Sequence, residues 1–185
     1  MPVSPLSIRV DDEIELRLHE QRYAEEFYTL TRRNIEHLRP WMPWAKPDYS
    51  FEDLQAYMQA SMEDFARGQQ LPTSIWYRGH IVGTIGFPRI QHIRRMAEIG
   101  YWLDKDAQGK GIITRATSAL VTYAFQEYGF NKVEIHAATG NKRSRAVPER
   151  LGFTQEGILR QFEWLHDKPH DLVIYGMLAS EWQAK

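Results

Sequence analysis

The segment Tyr101–Ile113 (YWLDKDAQGKGII) limits the fold most strongly, because an apolar strand pattern passes through two glycines into a helical stripe. Met96–Leu103 predicts a strand, and a long amphipathic stripe follows the glycines. A helix that begins directly after a strand exposes unpaired N–H groups and the positive end of its dipole. Gly109 and Gly111 would let a bulky anion approach those amides closely. The segment therefore predicts a site for phosphate or pyrophosphate.

The glycine spacing separates this segment from two well-known phosphate loops. It is not a P-loop, because no Gly-Lys-Ser/Thr follows the glycines. It is not Gly-x-Gly-x-x-Gly either, since position 114 is Thr. A loop that simply needs two positive φ angles explains Gly109 and Gly111 equally well.

The rest of the chain alternates between strand and helix periodicity. Besides Met96–Leu103, strands are predicted at Ile14–Leu18, Thr73–Tyr77, Ile81–Phe87, Lys132–Ala138, Ile158–Leu165 and Leu172–Leu178. Helices are predicted over His19–Leu38, over a stripe from Leu54 to Phe65 that stops at Gly68, over the stripe after Gly111, and from Asn141 to Gly152. Hairpin turns are predicted at residues 78–80 and 167–169.

This order of elements is β, α, α, three strands, α, β, α and two strands. It predicts an α/β (α+β) fold with a mixed central sheet of about six to seven strands, flanked on both faces by about four helices. No composition shift marks a boundary, so we predict one domain over residues 1–185.

Composition excludes several functions. Twenty-three basic and 24 acidic residues leave a net charge of −1, which argues against a protein that mainly holds a nucleic-acid backbone. The absence of cysteine excludes disulfides, thiolate nucleophiles and Cys-ligated zinc. Residues 1–10 lack a signal peptide and no apolar run approaches a membrane span. We predict a cytoplasmic protein without direct nucleic-acid or membrane contact; a homo-oligomer remains open.

A second segment whose residues could take part in catalysis or binding is Asn141–Phe153 (NKRSRAVPERLGF). Asn141 suits a helix N-cap, and Ser144 lies one turn into the helix. Pro148 removes the helical bond to the Ser144 carbonyl, so either the helix kinks or that carbonyl bonds elsewhere. A cluster of cations, which could be solvated or could meet phosphate, comprises Lys142, Arg143 and Arg145.

Taken together, these segments resemble the GCN5-related N-acetyltransferase (GNAT) superfamily. Its acetyl-CoA signature, Gln/Arg-x-x-Gly-x-Gly/Ala, falls on Asp106–Gly111, and its later Asn-x-x-Ala-type motif falls on Asn141–Phe153. The RimJ/RimL branch of ribosomal-protein N-terminal acetyltransferases, including YdaF-like bacterial members, is matched more closely through Glu98–Trp102 and Gln108–Ile112. The chain departs from the pattern at Asp106, and at Pro148, where many members place a general-acid tyrosine.

The resemblance implies an acetyl-CoA-dependent N-acetyltransferase, and from the residues themselves we predict no metal. The acceptor would be the N-terminal α-amine of a protein or peptide, a ribosomal protein being one candidate, and the amine would attack the thioester directly. By position, Ser144 would protonate the departing thiolate. The residues that would bind CoA are Gly100, Tyr101, Trp102, Leu103, Gln108, Gly109, Lys110, Gly111, Ile112, Ile113 and Asn141.

A base is also needed, and Glu98 is the candidate because strand alternation places it on one face with Gly100 and Trp102. A carboxylate beside aromatic rings can act as a base directly or through water, although a surface or paired glutamate is the ordinary alternative. His136 is a rival acid or base. His166 and His170 do not form a helical metal pair, because Pro169 lies between them.

The segment Leu38–Phe51 (LRPWMPWAKPDYSF) is rich in aromatic residues and proline. The resemblance implies that it covers the acceptor, with Trp41, Trp44 and Tyr49 lining that side. A packed plug between two helices is nearly as good an interpretation. Two other functions also stay open: acetylation of a small amine such as a polyamine, antibiotic or amino sugar, and a non-catalytic acyl-CoA-binding regulator.

Overall fold

The computed structural model describes residues 6–183, which form one eight-stranded sheet and four α-helices. The strands are β1 Ser7–Arg9, β2 Ile14–Leu18, β3 Leu71–Tyr77, β4 His80–Gln91, β5 Met96–Leu103, β6 Lys132–Ala138, β7 Thr154–Leu165 and β8 Lys168–Leu178. The helices are α1 Ala24–Leu38, α2 Phe51–Ala66, α3 Ile112–Gln126 and α4 Lys142–Leu151.

The sheet order is β1-β2-β3-β4-β5-β6-β8-β7, and every neighbouring pair is antiparallel except β5 with β6. Helix α3 lies in the connection between these two parallel strands, as a parallel crossover requires. The predicted mixed α/β architecture is confirmed. The strand count of six to seven was too low, because β1 is only three residues long and carries too little alternation to be recognised.

Helices cover both faces of the sheet, as predicted. Helices α1 and α2 pack on one face, in a cluster that includes Phe27, Leu54 and the sheet residues Trp76 and Trp102. Helices α3 and α4 pack on the other face, in a larger cluster of aliphatic residues. Alternation along each strand therefore decides which cluster a side chain joins.

The structure moves the predicted start of α1 and shortens the predicted last turn, and it confirms the turn between β3 and β4. Helix α1 begins at Ala24 rather than near His19, because a 3₁₀ turn at Gln21–Tyr23 precedes it. The turn at 78–79 is confirmed, with positive φ at both positions. The last turn is shorter than predicted, since Lys168 and Pro169 belong to β8 and pair with β7.

Strands β5 and β6 are hydrogen-bonded over only part of their length. Their parallel register runs from Met96 opposite Lys132 to Ile99 opposite Ile135 and then stops. Beyond it, residues 100–103 of β5 pair only with β4, and residues 136–138 of β6 pair only with β8. The two strands therefore separate. Residues 100–103 of β5 have one unpaired backbone edge, which borders a narrow opening in the sheet.

His19, just after β2, has a buried imidazole that lies between α1 and α2. It is 4% exposed, and its ring lies 5.4 Å from that of Phe27 and 5.7 Å from that of Tyr57. Neither ring nitrogen has a hydrogen-bond partner of normal geometry within residues 6–183. Burial, only weakly opposed by the Thr73 backbone, lowers the pKa of His19 to about 4.

The buried imidazole should make the fold sensitive to acid. Below its ordinary pKa of 6.5, the unfolded chain binds a proton that the folded chain excludes, so stability falls as the pH drops toward 4. By this linkage, His19 costs about 2 kcal/mol of unfolding free energy between pH 7 and pH 5. Urea unfolding of wild type and His19→Leu at both pH values measures the difference. Equal pH dependence in the two proteins would contradict the assignment.

Candidate active site

A cleft of about 720 Å³ lies where β5 and β6 separate. Its walls include Glu98, Gly100, Tyr101 and Trp102 from β5, and residues 135–138 from β6. Asn141 and Ser144 of the α4 region reach it from one side of the sheet, and the loop between α1 and α2 reaches it from the other. The sequence-predicted site residues on β5 and α4 thus meet at one opening, except Leu103, which is buried in the aliphatic core.

The loop that follows β5 has the geometry of an anion site. Gly109 and Gly111 both have positive φ, at 78° and 71°, and an added Cβ at either would project into open space. No backbone N–H of residues 108–111 donates to another residue in the described part of the chain. Gly111 is the N-cap of α3 and offers no side-chain cap, so the first turn of that helix adds further unpaired N–H groups. A phosphate group can satisfy such a set of donors.

Buried polar contacts hold this loop against α1. The Asp104 carboxylate is 3% exposed and forms an ion pair with Arg33. Asn34 donates to Asp104 over 3.0 Å and accepts from the backbone N–H of Lys105 over 3.0 Å. Because Asn34 itself is fully buried on α1, these bonds fix where the loop starts.

The three cations of the Asn141 segment have different surroundings. Arg143 donates to the side-chain oxygen of Gln108 over 2.8 Å, and Gln108 donates in turn to His37 of α1. Arg145 is held by the Tyr175 hydroxyl and the Thr139 carbonyl, so it supports the fold. Lys142 is exposed. Of the three, Arg143 lies directly beside the glycine loop.

The Ser144 carbonyl, which Pro148 leaves without a helical partner, bonds to Tyr101. The Tyr101 hydroxyl donates to this carbonyl over 2.9 Å and accepts from the Ser144 hydroxyl over 3.3 Å. Asn141 caps the helix by accepting from the Ser144 N–H. Burial raises the pKa of Tyr101 to about 12, although the bond with Ser144 opposes this, so the phenol stays protonated at neutral pH. The sequence left open whether the helix kinks at Pro148 or the Ser144 carbonyl bonds outside the helix, and the structure shows the bond outside the helix.

Glu98 lies among charged groups at the other side of the opening. One carboxylate oxygen is 4.0 Å from the Arg89 guanidinium, and the other is 3.9 Å from Nδ1 of His136. The other nitrogen of His136 is 3.0 Å from the Glu134 carboxylate. Sequence reasoning had missed Arg89 and Glu134. The alternation of Lys132, Glu134 and His136 on β6 could have shown that these side chains share one face of the strand. The register that places them beside Glu98 could not be read from the sequence.

The aromatic loop lines the cleft from the face covered by α1 and α2. Trp41, Trp44 and Tyr49 all form part of its wall, and the Trp44 ring is 6.3 Å from that of Trp102. Tyr49 is also buried in the cluster formed by α1, α2, Trp76 and Trp102. It therefore both lines the cleft and packs between the two helices. Burial raises the pKa of Tyr49. Phe162 and Glu163 of β7 complete the cleft and had not been predicted.

Within residues 6–183, no helix is long and apolar enough to cross a membrane. The same residues contain no group of three or more His, Cys, Asp or Glu side chains arranged to hold a metal ion.

Comparison with known proteins agrees with this geometry. The family model described as "Acetyltransferase (GNAT) domain" matches residues 13–154, so the chain belongs to the GNAT family and is an N-acetyltransferase that uses acetyl-CoA. YdaF of Bacillus subtilis (strain 168), a candidate ribosomal N-acetyltransferase, is 38% identical over 96% of this chain and 97% of its own length.

Two further comparisons point to the same branch. The ribosomal-protein-serine acetyltransferase of Escherichia coli (strain K12) is 31% identical over 93% of this chain and 96% of its own. A structure of RimL, an alpha-N-protein acetyltransferase of a ribosomal protein, in complex with coenzyme A superposes with a TM-score of 0.90. It is 28% identical and covers 94% of this chain and 98% of that one. The branch resemblance and the mixed fold are thereby confirmed, and a non-catalytic regulator is not favoured.

Gly111→Val should weaken acetyl-CoA binding at least about tenfold, equivalent to about 1.4 kcal/mol, because a branched side chain would project into the space before the loop amides. Gly79→Val is the matched control, since Gly79 also has positive φ and open surroundings but lies in the β3–β4 turn. Calorimetric titration with acetyl-CoA measures both. Equal affinities in the two folded variants would remove the loop from the binding site.

Ser144→Ala should lower kcat by about 10²–10⁴-fold with little change in KM for acetyl-CoA, if its hydroxyl donates the proton to the leaving thiolate. Tyr101→Phe keeps the Ser144 hydroxyl and should have a smaller effect. Steady-state kinetics of both variants give the comparison. A larger loss of kcat in Tyr101→Phe would identify the phenol as the acid instead.

Proposed function

We propose that this protein transfers the acetyl group of acetyl-CoA to the N-terminal α-amine of a protein or peptide, with a ribosomal protein as the expected acceptor. The observation that carries the proposal is the unpaired edge of β5, which runs from the cleft that contains Glu98 toward the loop whose amides, at residues 108–111, are free. The ribosomal acceptors named for two relatives at 38% and 31% identity support the choice of acceptor. Such an acceptor would place the reaction in the cytoplasm.

The residues divide the reaction into separate tasks. The loop amides and the α3 N-terminus bind the pyrophosphate of CoA. The unpaired backbone edge of residues 100–103 pairs with the pantetheine arm and polarises the thioester carbonyl. Glu98 removes a proton from the amine, and Ser144, held by Tyr101 and Asn141, returns one to the thiolate.

The choice between an α-amine and a lysine can be argued from proton affinity. A free α-amine has a pKa near 7.8 and a lysine near 10.4, so at neutral pH a lysine costs about 3.5 kcal/mol more to deprotonate. A single carboxylate base therefore suits the α-amine better. The other carboxylates of the cleft are Asp53, which caps α2 and pairs with Lys46, and Glu163 of β7.

A competition between two peptides tests the acceptor. One has a free N-terminal serine and no lysine; the other has the same sequence with a blocked N-terminus and one lysine. We expect kcat/KM for the free N-terminus to exceed that for the lysine at pH 7, measured by mass spectrometry of both products. Comparable or faster acetylation of the blocked peptide would overturn the N-terminal assignment, and faster acetylation of spermidine would favour a small-amine enzyme.

Two matched variants test the base within the same assay. Glu98→Gln and Glu163→Gln each remove one charge from the cleft wall while keeping the side chain's shape. We expect Glu98→Gln to cause the larger loss of kcat. A larger loss of kcat in Glu163→Gln would assign the role of base to Glu163 of β7 instead.

A further inference from the structure

Charged side chains form a row across the face of the sheet at the inner end of the cleft. Alternation on β6 sends Val133 and Ile135 into the aliphatic core, so Glu134 and His136 share the opposite face with Glu98. Arg89 of β4 is the register partner of Glu98 and ends the row on that side. The His136 side chain is 14% exposed and Glu134 is 16% exposed, so neither group is freely solvated.

The strand register places two carboxylates of like charge next to each other in this row. Glu98 and Glu134 are direct partners on adjacent parallel strands, and like charges in such positions repel each other. His136 lies between them, 3.9 Å from Glu98 and 3.0 Å from Glu134. Lys132 binds Glu134 from the other side over 2.8 Å. A pair of carboxylates kept together at a cost, with an imidazole between them, is typical of a site that handles a proton.

The contacts of Glu134 determine which nitrogen of His136 carries the proton. Although burial opposes it, the bonds from Lys132 and His136 lower the pKa of Glu134, so this carboxylate is ionised and can only accept. Nε2 of His136 must then be the donor. In the neutral ring this leaves the lone pair on Nδ1, the nitrogen that faces Glu98.

The proposed reaction needs somewhere for a proton to go. A protonated amine and acetyl-CoA give the amide, free CoA thiol and one proton; the C–N bond forms, the C–S bond breaks, and the proton lost from the nitrogen during attack ends on sulfur. The proton removed before attack must leave the cleft. Glu98 can act again only after it has passed this proton on.

Resting on the proposed function above, we propose that His136 is the proton acceptor behind Glu98, and that Glu134 is the residue that positions it. The proton moves from the amine to Glu98. Protonated Glu98 then donates it to Nδ1 of His136 once the two side chains close from 3.9 Å to hydrogen-bond distance, and the imidazolium releases a proton to water. Glu134 stabilises the imidazolium formed in between through its bond to Nε2. Arg89, Glu98, Glu134 and Lys132 are the charged groups along this row.

The pH dependence of the reaction distinguishes a relay from structural support. An α-amine enters charged below about pH 7.8 and neutral above it, so the relay matters only at the lower pH. For the N-terminal serine peptide at saturating concentration, we expect His136→Asn to lower kcat about tenfold at pH 6.5 and less than about twofold at pH 9. Glu134→Gln should show the same pattern with a smaller loss at pH 6.5.

Glu156→Gln is the matched control, because Glu156 binds Lys132 but contacts neither His136 nor Glu98. We expect it to behave like wild type at both pH values. A loss in His136→Asn that is equal at pH 6.5 and pH 9, or no loss at either, would overturn the relay and leave the acceptor assignment intact. If wild type does not use the peptide, the acceptor assignment fails, and the ring tautomer measured below then tests the relay by itself.

A second measurement needs no acceptor. Nitrogen NMR of the histidine rings at a pH high enough for the rings to be neutral, assigned by the signals missing from His136→Asn, reports the tautomer of this ring. We expect protonated Nε2 and unprotonated Nδ1 in wild type. A ring protonated on Nδ1 alone would overturn the proposal whatever the acceptor is.

Discussion

Strands β5 and β6 are joined through only four register pairs and then separate, and the candidate site depends on this separation. If the pairing continued, the backbone edge of residues 100–103 would be consumed by the sheet and the cleft would close. Because it stops at Ile99, side chains from both faces can meet through the opening. Tyr101 reaches α4 on one face, while Glu98 and Trp102 face the other.

The sequence predicted most of the fold because its strands and helices have clear periodicity. The differences arise where pairing overrides the local pattern. Pro169 was interpreted as a turn residue, yet at that point β8 is paired on one side only, so a missing N–H is tolerated. His19 looked like the start of a helix but continues from β2 into a buried position, which only the packing of α1 and α2 creates.

The candidate site was predictable to the extent that its residues are adjacent in sequence. The glycine loop and the Asn141–Phe153 motif each form a local unit, and both lie where their spacing indicated. The partners of these units come from far along the chain. Asn34 binds Asp104 and Lys105 from 70 and 71 positions away, and Arg89 and Glu134 reach Glu98 only through strand register. No local pattern contains that information.

Pro148 and Tyr101 are coupled through a single carbonyl oxygen. Any other residue at 148 would supply a backbone N–H that competes with the phenol for the Ser144 carbonyl. Conversely, loss of the Tyr101 hydroxyl would leave this carbonyl without either partner. The cost of a mutation at one position thus depends on which residue occupies the other, although 47 positions separate them in the chain. In evolution, the two residues should be gained and lost together, so that each marks the presence of the other among descendants of this sequence.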